Sequence, residues 1–287
     1  MTLSGSPLSH RLCALVALLA LTVPCLSGAD DDTGSAPAVH PMLDSTFLLT
    51  GGAFWPHKEF NLSASGSLPG DEVDFDETFS LDEYDATGML GFQWRFGEKW
   101  SLGVEAWELD STGGAVLTED IVWEDLIFRS GSFARAGVDL TVVRLFFGRR
   151  LWVGDDWETG VGVGFHWLEL GAFIEGEVRI NDDTTEVQRG DTGVEFPMPN
   201  LGFWYLKSLS PRWAFGARVD WLDVSIDRYS GNLWNAQLGI HFQAWEHVGL
   251  SLHGAYFELD GRVTDDAWRG QVELKQYGPR ASLYVAF

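Results

Sequence analysis

Three histidines, His166, His241 and His253, carry the side chains best suited to chemistry. A neutral imidazole can act as a general base or as a ligand for a transition metal. No serine or aspartate lies at a spacing from them that is typical of a nucleophile and its base. The sequence therefore predicts no catalytic residue and no cofactor, favours a packing role for these histidines, and leaves metal binding open.

Acidic residues crowd the segment from Asp71 to Asp85, where the chain reads DEVDFDETFSLDEYD. Such carboxylates can bind hard divalent cations, although their spacing is not that of an EF-hand loop. The whole chain carries 42 acidic and 19 basic residues, a net charge of −23. That charge repels phosphate backbones and excludes nucleic acid as a partner. Divalent cations at acidic loops are the candidate ions.

The first 29 residues have the pattern of a secretory signal peptide, with a basic start, an apolar run and small residues at its end. Cys13 and Cys25, the two cysteines, both fall within it. An exported chain without them excludes a disulfide scaffold, a thiol enzyme and a thiolate zinc site. No later stretch reaches the ~18 continuous apolar residues of a spanning helix. Such a chain is either soluble or a closed barrel in a membrane.

Side chains alternate in character along several segments of the chain. Leu90, Phe92, Trp94 and Phe96 share one face, whereas the other face carries small or polar residues together with Met89. The segments 213–221 and 235–244 repeat this pattern. A period of two with one apolar face is typical of β-strands. The pattern suits a soluble barrel with an apolar interior as well as a membrane barrel with a polar lumen.

The ends of these segments favour the membrane barrel. Trp100, Trp157 and Trp213 each follow a short turn, and we predict that they form an interfacial aromatic girdle. Long acidic loops are expected at the opposite ends, over 57–85, 111–136, 181–196, 227–233 and 264–270. Short turns on one side and long loops on the other are typical of outer-membrane barrels. The final alternating residues, Leu283, Val285 and Phe287, resemble the signal that the barrel assembly machinery recognises.

We therefore predict an all-β fold, a transmembrane antiparallel up-and-down β-barrel of ten strands, with eight or twelve as alternatives. The expected divisions are a signal peptide over 1–29, an N-terminal periplasmic segment over 30–43 and an outer-membrane barrel over 44–287. Outer-membrane lipid and lipopolysaccharide would surround the barrel, and the assembly machinery would act on it during biogenesis. The ten predicted strands are 45–55, 87–96, 100–109, 138–153, 157–174, 200–208, 213–224, 234–244, 248–259 and 272–287.

Five short stretches carry a resemblance to a known family: 73–82, 109–113, 164–170, 229–233 and 277–279 with Leu283-Tyr284. On these stretches the sequence resembles a family of uncharacterised, porin-like bacterial outer-membrane β-barrel proteins. The resemblance covers nearly the whole exported chain. It implies the fold and the outer membrane as the location, and it implies no reaction and no ligand.

Turn length predicts which inward residues face each other. A three-residue turn keeps facing residues on one side of the sheet, which sets Arg144 opposite His166 and His241 opposite Ser251. It also sets Trp204 opposite Arg218, where a cation–π contact is expected. Buried charges must be paired, so we predict one connected layer that fills the middle of the barrel. Its members are Arg144, His166, Trp204, Arg218, Asp220, His241 and His253.

These patterns favour an integral outer-membrane barrel that is structural, or a small restricted channel, without catalysis. One alternative is a barrel enzyme that modifies lipid A or cleaves proteins. The sequence lacks the His-x-Ser arrangement of the lipid A deacylases and shows no pattern similar to the omptin proteases, which share a ten-stranded barrel. A second alternative is a secreted soluble barrel that binds an apolar ligand, against which the tryptophan girdle and the terminal phenylalanine argue.

Overall fold

The computed structural model describes residues 39–65, 73, 75–81, 86–123, 126–181, 184–226, 229–264 and 269–287. The predicted signal peptide, most of the predicted N-terminal segment and much of the acidic run at 71–85 lie outside the described residues. Within the described part of the chain, no helix is long and apolar enough to cross a membrane.

Ten long antiparallel strands close into a barrel, and each pairs with its neighbours in chain order. The predicted all-β up-and-down barrel and its ten strands are confirmed. The barrel strands are β1 (Phe47–Phe54), β3 (Thr87–Phe96), β4 (Trp100–Val116), β7 (Phe133–Val153), β8 (Trp157–Asn181), β9 (Thr184–Ser210), β10 (Trp213–Ile226), β11 (Tyr229–Gln243), β12 (Val248–Thr264) and β13 (Arg269–Ala286). The remaining elements are a 3-10 turn (Pro41–Leu43), β2 (His57–Ser65), a short helix α1 (Phe75–Phe79), β5 (Ile121–Trp123) and β6 (Leu126–Phe128).

Several strands run much further than predicted. The segment 181–196, expected to be a loop, is strand in β8 and β9, which pair up to Asn181 and Thr184. Residues 111–116 and 133–136 of the loop expected over 111–136 likewise belong to β4 and β7. The acidic residues that suggested loops here alternate with apolar ones, as in Val194-Glu195-Phe196, and so keep the period of two that a strand requires. The barrel therefore continues well past the ends that the predicted strands had.

The register agrees with the prediction for three pairs of inward residues. Arg144 lies opposite His166, Trp204 opposite Arg218, and His241 opposite Ser251. Two turns close one residue away from the expected position, because the register shifts between 150 and 152 in β7 and between 213 and 214 in β10. An extra residue in one strand is the effect of a β-bulge, and each bulge leaves the inner pairs unchanged.

The longer barrel strands change their chemistry once along their length, and β8 shows this most clearly. Between the turn and Trp167, the outward residues Val163 and Phe165 are apolar and exposed. Beyond that point the pattern reverses, because Leu168 and Leu170 are buried inside while Glu169 lies on the outer face. We call the part of the barrel from the short turns to this level the turn half, and the part beyond it the loop half. The expected outward apolar face and polar lumen hold only in the turn half.

The outer face of the turn half is an apolar band with aromatic residues at both margins. Trp100 and Trp213 lie at the turn margin, and Trp221, Trp234 and Tyr277 lie at the other, all more than a third exposed. In β12 the outward-facing residues from 248 to 256 carry no charge, and the next outward residue is acidic. A strand rises ~3.4 Å per residue, so these eight residue steps, on a strand tilted by about 40° from the barrel axis, span roughly 20 Å along that axis. This height is close to the ~25 Å apolar band of outer-membrane barrels.

The interior of the loop half is a packed apolar core. It is built from inward residues of nearly all strands, such as Trp107, Leu168, Ile174, Phe257 and Leu259, each at most 2% exposed. Helix α1 and the β5–β6 hairpin add Phe75, Phe79 and Trp123 to the same core, with the rings of Phe75 and Trp123 5.1 Å apart. The loop half is thus apolar inside and polar outside, as in a water-soluble barrel.

Candidate functional site

The centre of the turn half holds a network of two arginines and two carboxylates. Arg144 on β7 binds Asp220 on β10 with two hydrogen bonds, 2.5 Å from Nε to Oδ2 and 2.9 Å from Nη2 to Oδ1. Arg218 donates to Glu105 on β4 over 2.5 Å, and Glu105 also lies 3.8 Å from Arg144. All four residues are on inward positions of strands that face each other across the lumen. Bidentate, charge-assisted pairs of this kind satisfy buried charges and fix their geometry.

Trp204 lies in the same region but makes different contacts from those expected. Its ring packs edge-on against Phe146 at 5.9 Å, and its Nε1 donates to Glu158 over 3.3 Å. Arg218 points to Glu105 instead, so the expected cation–π contact with Trp204 does not form among the described side chains. Within the central network, the Arg144 guanidinium lies over an aromatic ring instead, 4.4 Å from the centre of Phe146.

Two of the three predicted histidines come together, and the third, His166, lies apart from them. His166 is fully buried beside the apolar core, where its Nε2 bonds to the Asn235 amide at 3.0 Å and its ring packs on Phe257. His241 bonds through Nδ1 to Ser251 Oγ at 2.7 Å, and its Nε2 lies 3.5 Å from Nε2 of His253. Within the described ranges, no group of three or more histidine, cysteine, aspartate or glutamate residues is arranged to hold a metal.

The seven residues of the predicted layer therefore form one ionic network, one histidine pair and two flanking residues with partners of their own. Arg144, Arg218 and Asp220 form one network through Glu105. His241 and His253 form a pair that lines the same cavity as Arg144 and Arg218. His166 and Trp204 flank that network through separate partners. The partner of Arg218 lies across the lumen, 113 residues away in sequence, and strand parity carries no information about such a contact.

The end of the predicted N-terminal segment enters the lumen from the turn end. His40 is fully buried, its backbone N–H donates to Ser208 Oγ over 2.9 Å, and its Nδ1 accepts from the Met42 N–H at 3.3 Å. Its Nε2 lies 3.2 Å from the hydroxyl of Tyr284, which donates to Gln243 Oε1 over 2.7 Å. Since Nδ1 accepts, the ring proton is on Nε2 and the imidazole is neutral. Burial lowers the pKa of His40 to about 4.

A second ion cluster holds the following residues of this segment. Arg95 donates to the Leu43 carbonyl over 2.6 Å and to Glu158 over 2.7 Å. Glu158 also lies 3.3 Å from Arg150. These contacts fix residues 39–43 as a plug in the turn end of the barrel. Glu158 has the inward parity of β8, so a period-two reading could have found it, whereas His40 lies outside any strand pattern and gave no signal.

A cavity of about 200 Å³ lies between this plug and the central network. Charged residues from both clusters line it, together with the two paired histidines and residues of the plug. Its lining includes Met42, Glu105, Arg144, Arg218, His253 and Ser282. The volume is enough for a few small molecules the size of water.

The predicted girdle and terminal residues lie on the outer face. Trp100 and Trp213 are about two-fifths exposed and Trp157 is half-buried, all beside the short turns. Leu283 on β13 and Phe287, which follows the end of β13, are both exposed, and Phe287 exchanges two backbone hydrogen bonds with Phe47, of 2.9 and 3.0 Å. The last residue is thus part of the seam that closes the barrel between β1 and β13.

No protein-family model matches the chain, and no curated protein is similar to it at a significant level. Among solved structures, the outer membrane protease OmpT from Escherichia coli is similar with a TM-score of 0.52 and 10% identity, over 84% of this chain and 97% of that chain. OprG from Pseudomonas aeruginosa gives 0.35 and 9% over 88% and 100%. The toluene transporter TodX from P. putida gives 0.32 and 9% over 84% and 90%. The likeness to OmpT shows the fold, which is that of an outer-membrane β-barrel.

Proposed function

We propose that this protein is an integral outer-membrane barrel of structural type, which does not conduct solutes and catalyses no reaction. The observation that carries the proposal is the apolar core that fills the loop half. A conducting barrel of this fold needs a continuous polar passage, and here buried apolar residues such as Trp107, Phe257 and Leu259 pack in the interior beyond the central network.

The outer face supports the membrane location. An apolar band of roughly outer-membrane thickness is flanked by aromatic margins, and a soluble barrel would have to expose that band to water. Export by a signal peptide, insertion by the assembly machinery, contact with lipopolysaccharide and divalent cations at the acidic loops are parts of the same proposal.

The absence of catalysis is proposed from the way the interior polar groups are used. The central carboxylates Glu105 and Asp220 are each bound by an arginine at 2.5 Å. A carboxylate held this way is poorly placed to take a proton from a substrate, because its oxygen atoms already accept hydrogen bonds from a guanidinium. The apolar core of the loop half lies between these carboxylates and the loop end of the barrel. A large substrate that approached from the solvent at the loop end would therefore not reach them.

Conductance across a planar bilayer tests the proposal. We expect no stable current steps from the purified full-length protein, either as such or after Arg218 and Asp220 are both replaced by alanine, since the apolar core remains in both. Reproducible steps in the parent would refute the closed barrel. Heat-modifiable mobility in gels and extraction only with detergent check in parallel that the protein was inserted as a barrel.

A further inference from the structure

Two histidines on neighbouring strands direct the same ring nitrogen at each other. The Nε2 atoms of His241 on β11 and His253 on β12 lie 3.5 Å apart, and their ring centres lie 4.8 Å apart. This separation is longer than the ~2.7–3.2 Å of a normal hydrogen bond. Two nitrogen ligands at ~2.0–2.1 Å from one metal ion, in trigonal or tetrahedral geometry, are roughly 3.3–3.6 Å apart. The pair therefore has the spacing of two ligands of one metal ion.

The ring of His241 is held in the orientation that coordination requires. Its Nδ1 lies 2.7 Å from the hydroxyl oxygen of Ser251, the residue directly opposite in the β11–β12 ladder. A serine hydroxyl can accept the N–H of Nδ1, which leaves the lone pair on Nε2 for a metal, and metal-bound histidines are commonly held in this way. His241, Ser251 and His253 all line the cavity, so an ion between the two rings would lie at the cavity wall.

The plug brings a thioether to the same part of the cavity. Met42 lines the cavity and packs against a small apolar cluster that includes Leu206 and Ala214. Ala214 lies opposite His241 in the β10–β11 ladder. A β-carbon added at Gly216 would lie 2.8 Å from Nε2 of His241 and 3.7 Å from Cδ1 of Leu206. The cluster against which Met42 packs therefore borders this ring nitrogen, and the unbranched methionine side chain is flexible enough to turn its sulfur toward it.

The charges around the pair favour a monovalent ion. Arg218 lines the cavity and is paired with Glu105, and Arg280 lies directly opposite His253 in the β12–β13 ladder. Because repulsion from these arginines is proportional to the charge of the ion, a divalent metal would be disfavoured more than a monovalent one. A thioether among the ligands selects soft ions, and Cu(I) is the soft monovalent ion that such ligands bind.

We propose that this cavity binds one Cu(I) ion through Nε2 of His241, Nε2 of His253 and the thioether of Met42. The ion would join the plug to the wall of the barrel, in addition to the hydrogen bonds that hold residues 39–43. The inference goes beyond the proposed function, since a closed structural barrel can hold an internal copper ion or lack one. Its failure would leave the conductance result unchanged.

Copper retention after refolding tests the proposal. The full chain, with Cys13 and Cys25 replaced by serine so that no thiolate competes, is refolded into detergent with Cu(I) under reducing conditions, so that the ion is present before the plug closes. It is then challenged with bicinchoninate, a Cu(I) chelator. We expect one equivalent of copper to remain, with two imidazole nitrogens and one sulfur in its X-ray absorption spectrum. No retained copper, or copper without nitrogen and sulfur ligands together, would overturn the proposal.

Two variants assign the site, each compared with a control of the same residue type. His253→Gln should lower the Cu(I) affinity at least tenfold, whereas His247→Gln should not, because the His247 side chain is 55% exposed beside a short turn. Met42→Leu should also lower it at least tenfold and remove the sulfur ligand, whereas Met198→Leu, in the core of the loop half, should not. Heat-modifiable mobility identifies the variants that fold. Affinity unchanged in whichever of His253→Gln and Met42→Leu folds would contradict the assignment.

Competition with zinc tests the charge argument. Equimolar Zn²⁺ should not displace the retained copper, because the neighbouring arginines disfavour a divalent ion and the thioether disfavours a harder one. Displacement by Zn²⁺ would contradict the assignment of a monovalent ion to this site.

Discussion

Trp167 and Leu168 are consecutive residues of β8 that mark the level at which the barrel exchanges its inner and outer chemistry. Trp167 is 39% exposed on the apolar outer band, and Leu168 is fully buried in the core. Below them the barrel is apolar outside and charged inside, and above them it is polar outside and apolar inside. One barrel thus combines a half with an apolar outer face and a half with an apolar interior.

The apolar outer band predicts that an arginine placed within it destabilises the inserted protein more than an arginine placed on the outer face of the loop half. Leu238 is an outward residue of β11 within the band and is 60% exposed. Leu238→Arg should destabilise the inserted protein by ~2–4 kcal/mol. Ser230→Arg, on the same outer face of the same strand but in the loop half, should change stability by less than ~0.5 kcal/mol. Denaturant unfolding in lipid vesicles measures both, and equal effects would show that the band does not face lipid.

The core of the loop half predicts a large effect from truncating a buried ring. Phe257 is 1% exposed and contacts Trp107 edge-on at 5.8 Å. Phe257→Ala should lower the free energy of unfolding by ~3–5 kcal/mol through lost burial and the cavity left behind. Phe133→Ala is the control, since Phe133 is 58% exposed in the loop half. A loss below 1 kcal/mol at Phe257 would mean that the core is not packed.

The central network predicts strong coupling between Arg144 and Asp220. Asp220→Ala leaves Arg144 buried without its bidentate partner and should cost about 3–5 kcal/mol. Replacing Arg144 by methionine as well removes the unpaired charge and should recover much of this loss. A double-mutant cycle measures the coupling. Additive effects of the two substitutions would contradict the paired geometry.

The plug predicts a dependence on pH through His40. Its pKa is about 4 in the folded protein and about 6.5 in the unfolded chain, so between these values the unfolded chain binds more protons. Stability should therefore fall as the pH decreases from about 6.5 to 4, by at most ~1.4 kcal/mol per pH unit, and this contribution should level off below 4. His40→Gln should lack this component. Parallel pH profiles for parent and variant would show that His40 does not hold the plug.

The sequence was sufficient to predict the barrel, its strand number and several pairs of inward residues that face each other on neighbouring strands. The period of two determines which face of the sheet a residue occupies, and the turn lengths determine the register of neighbouring strands. It did not reveal where the chemistry reverses. The stretch His166-Trp167-Leu168-Glu169 contains that reversal, yet alternation looks the same on either side of it, and acidic residues beyond it were interpreted as loops. The plug could not be predicted because His40 and its neighbours have no periodicity, and their partners Ser208 and Tyr284 are distant in sequence.

The exchange of chemistry along β8 is tested most directly by the accessibility of spin labels in lipid vesicles. Single cysteines are introduced at Val163 and Glu177, both exposed on the outer face of β8, in a chain whose Cys13 and Cys25 are replaced by serine. We expect the label at 163 to be accessible to oxygen, which is soluble in lipid, and protected from a water-soluble nickel reagent. The label at 177 should show the reverse. Equal accessibility of the two labels to the nickel reagent, or protection at both, would contradict the account.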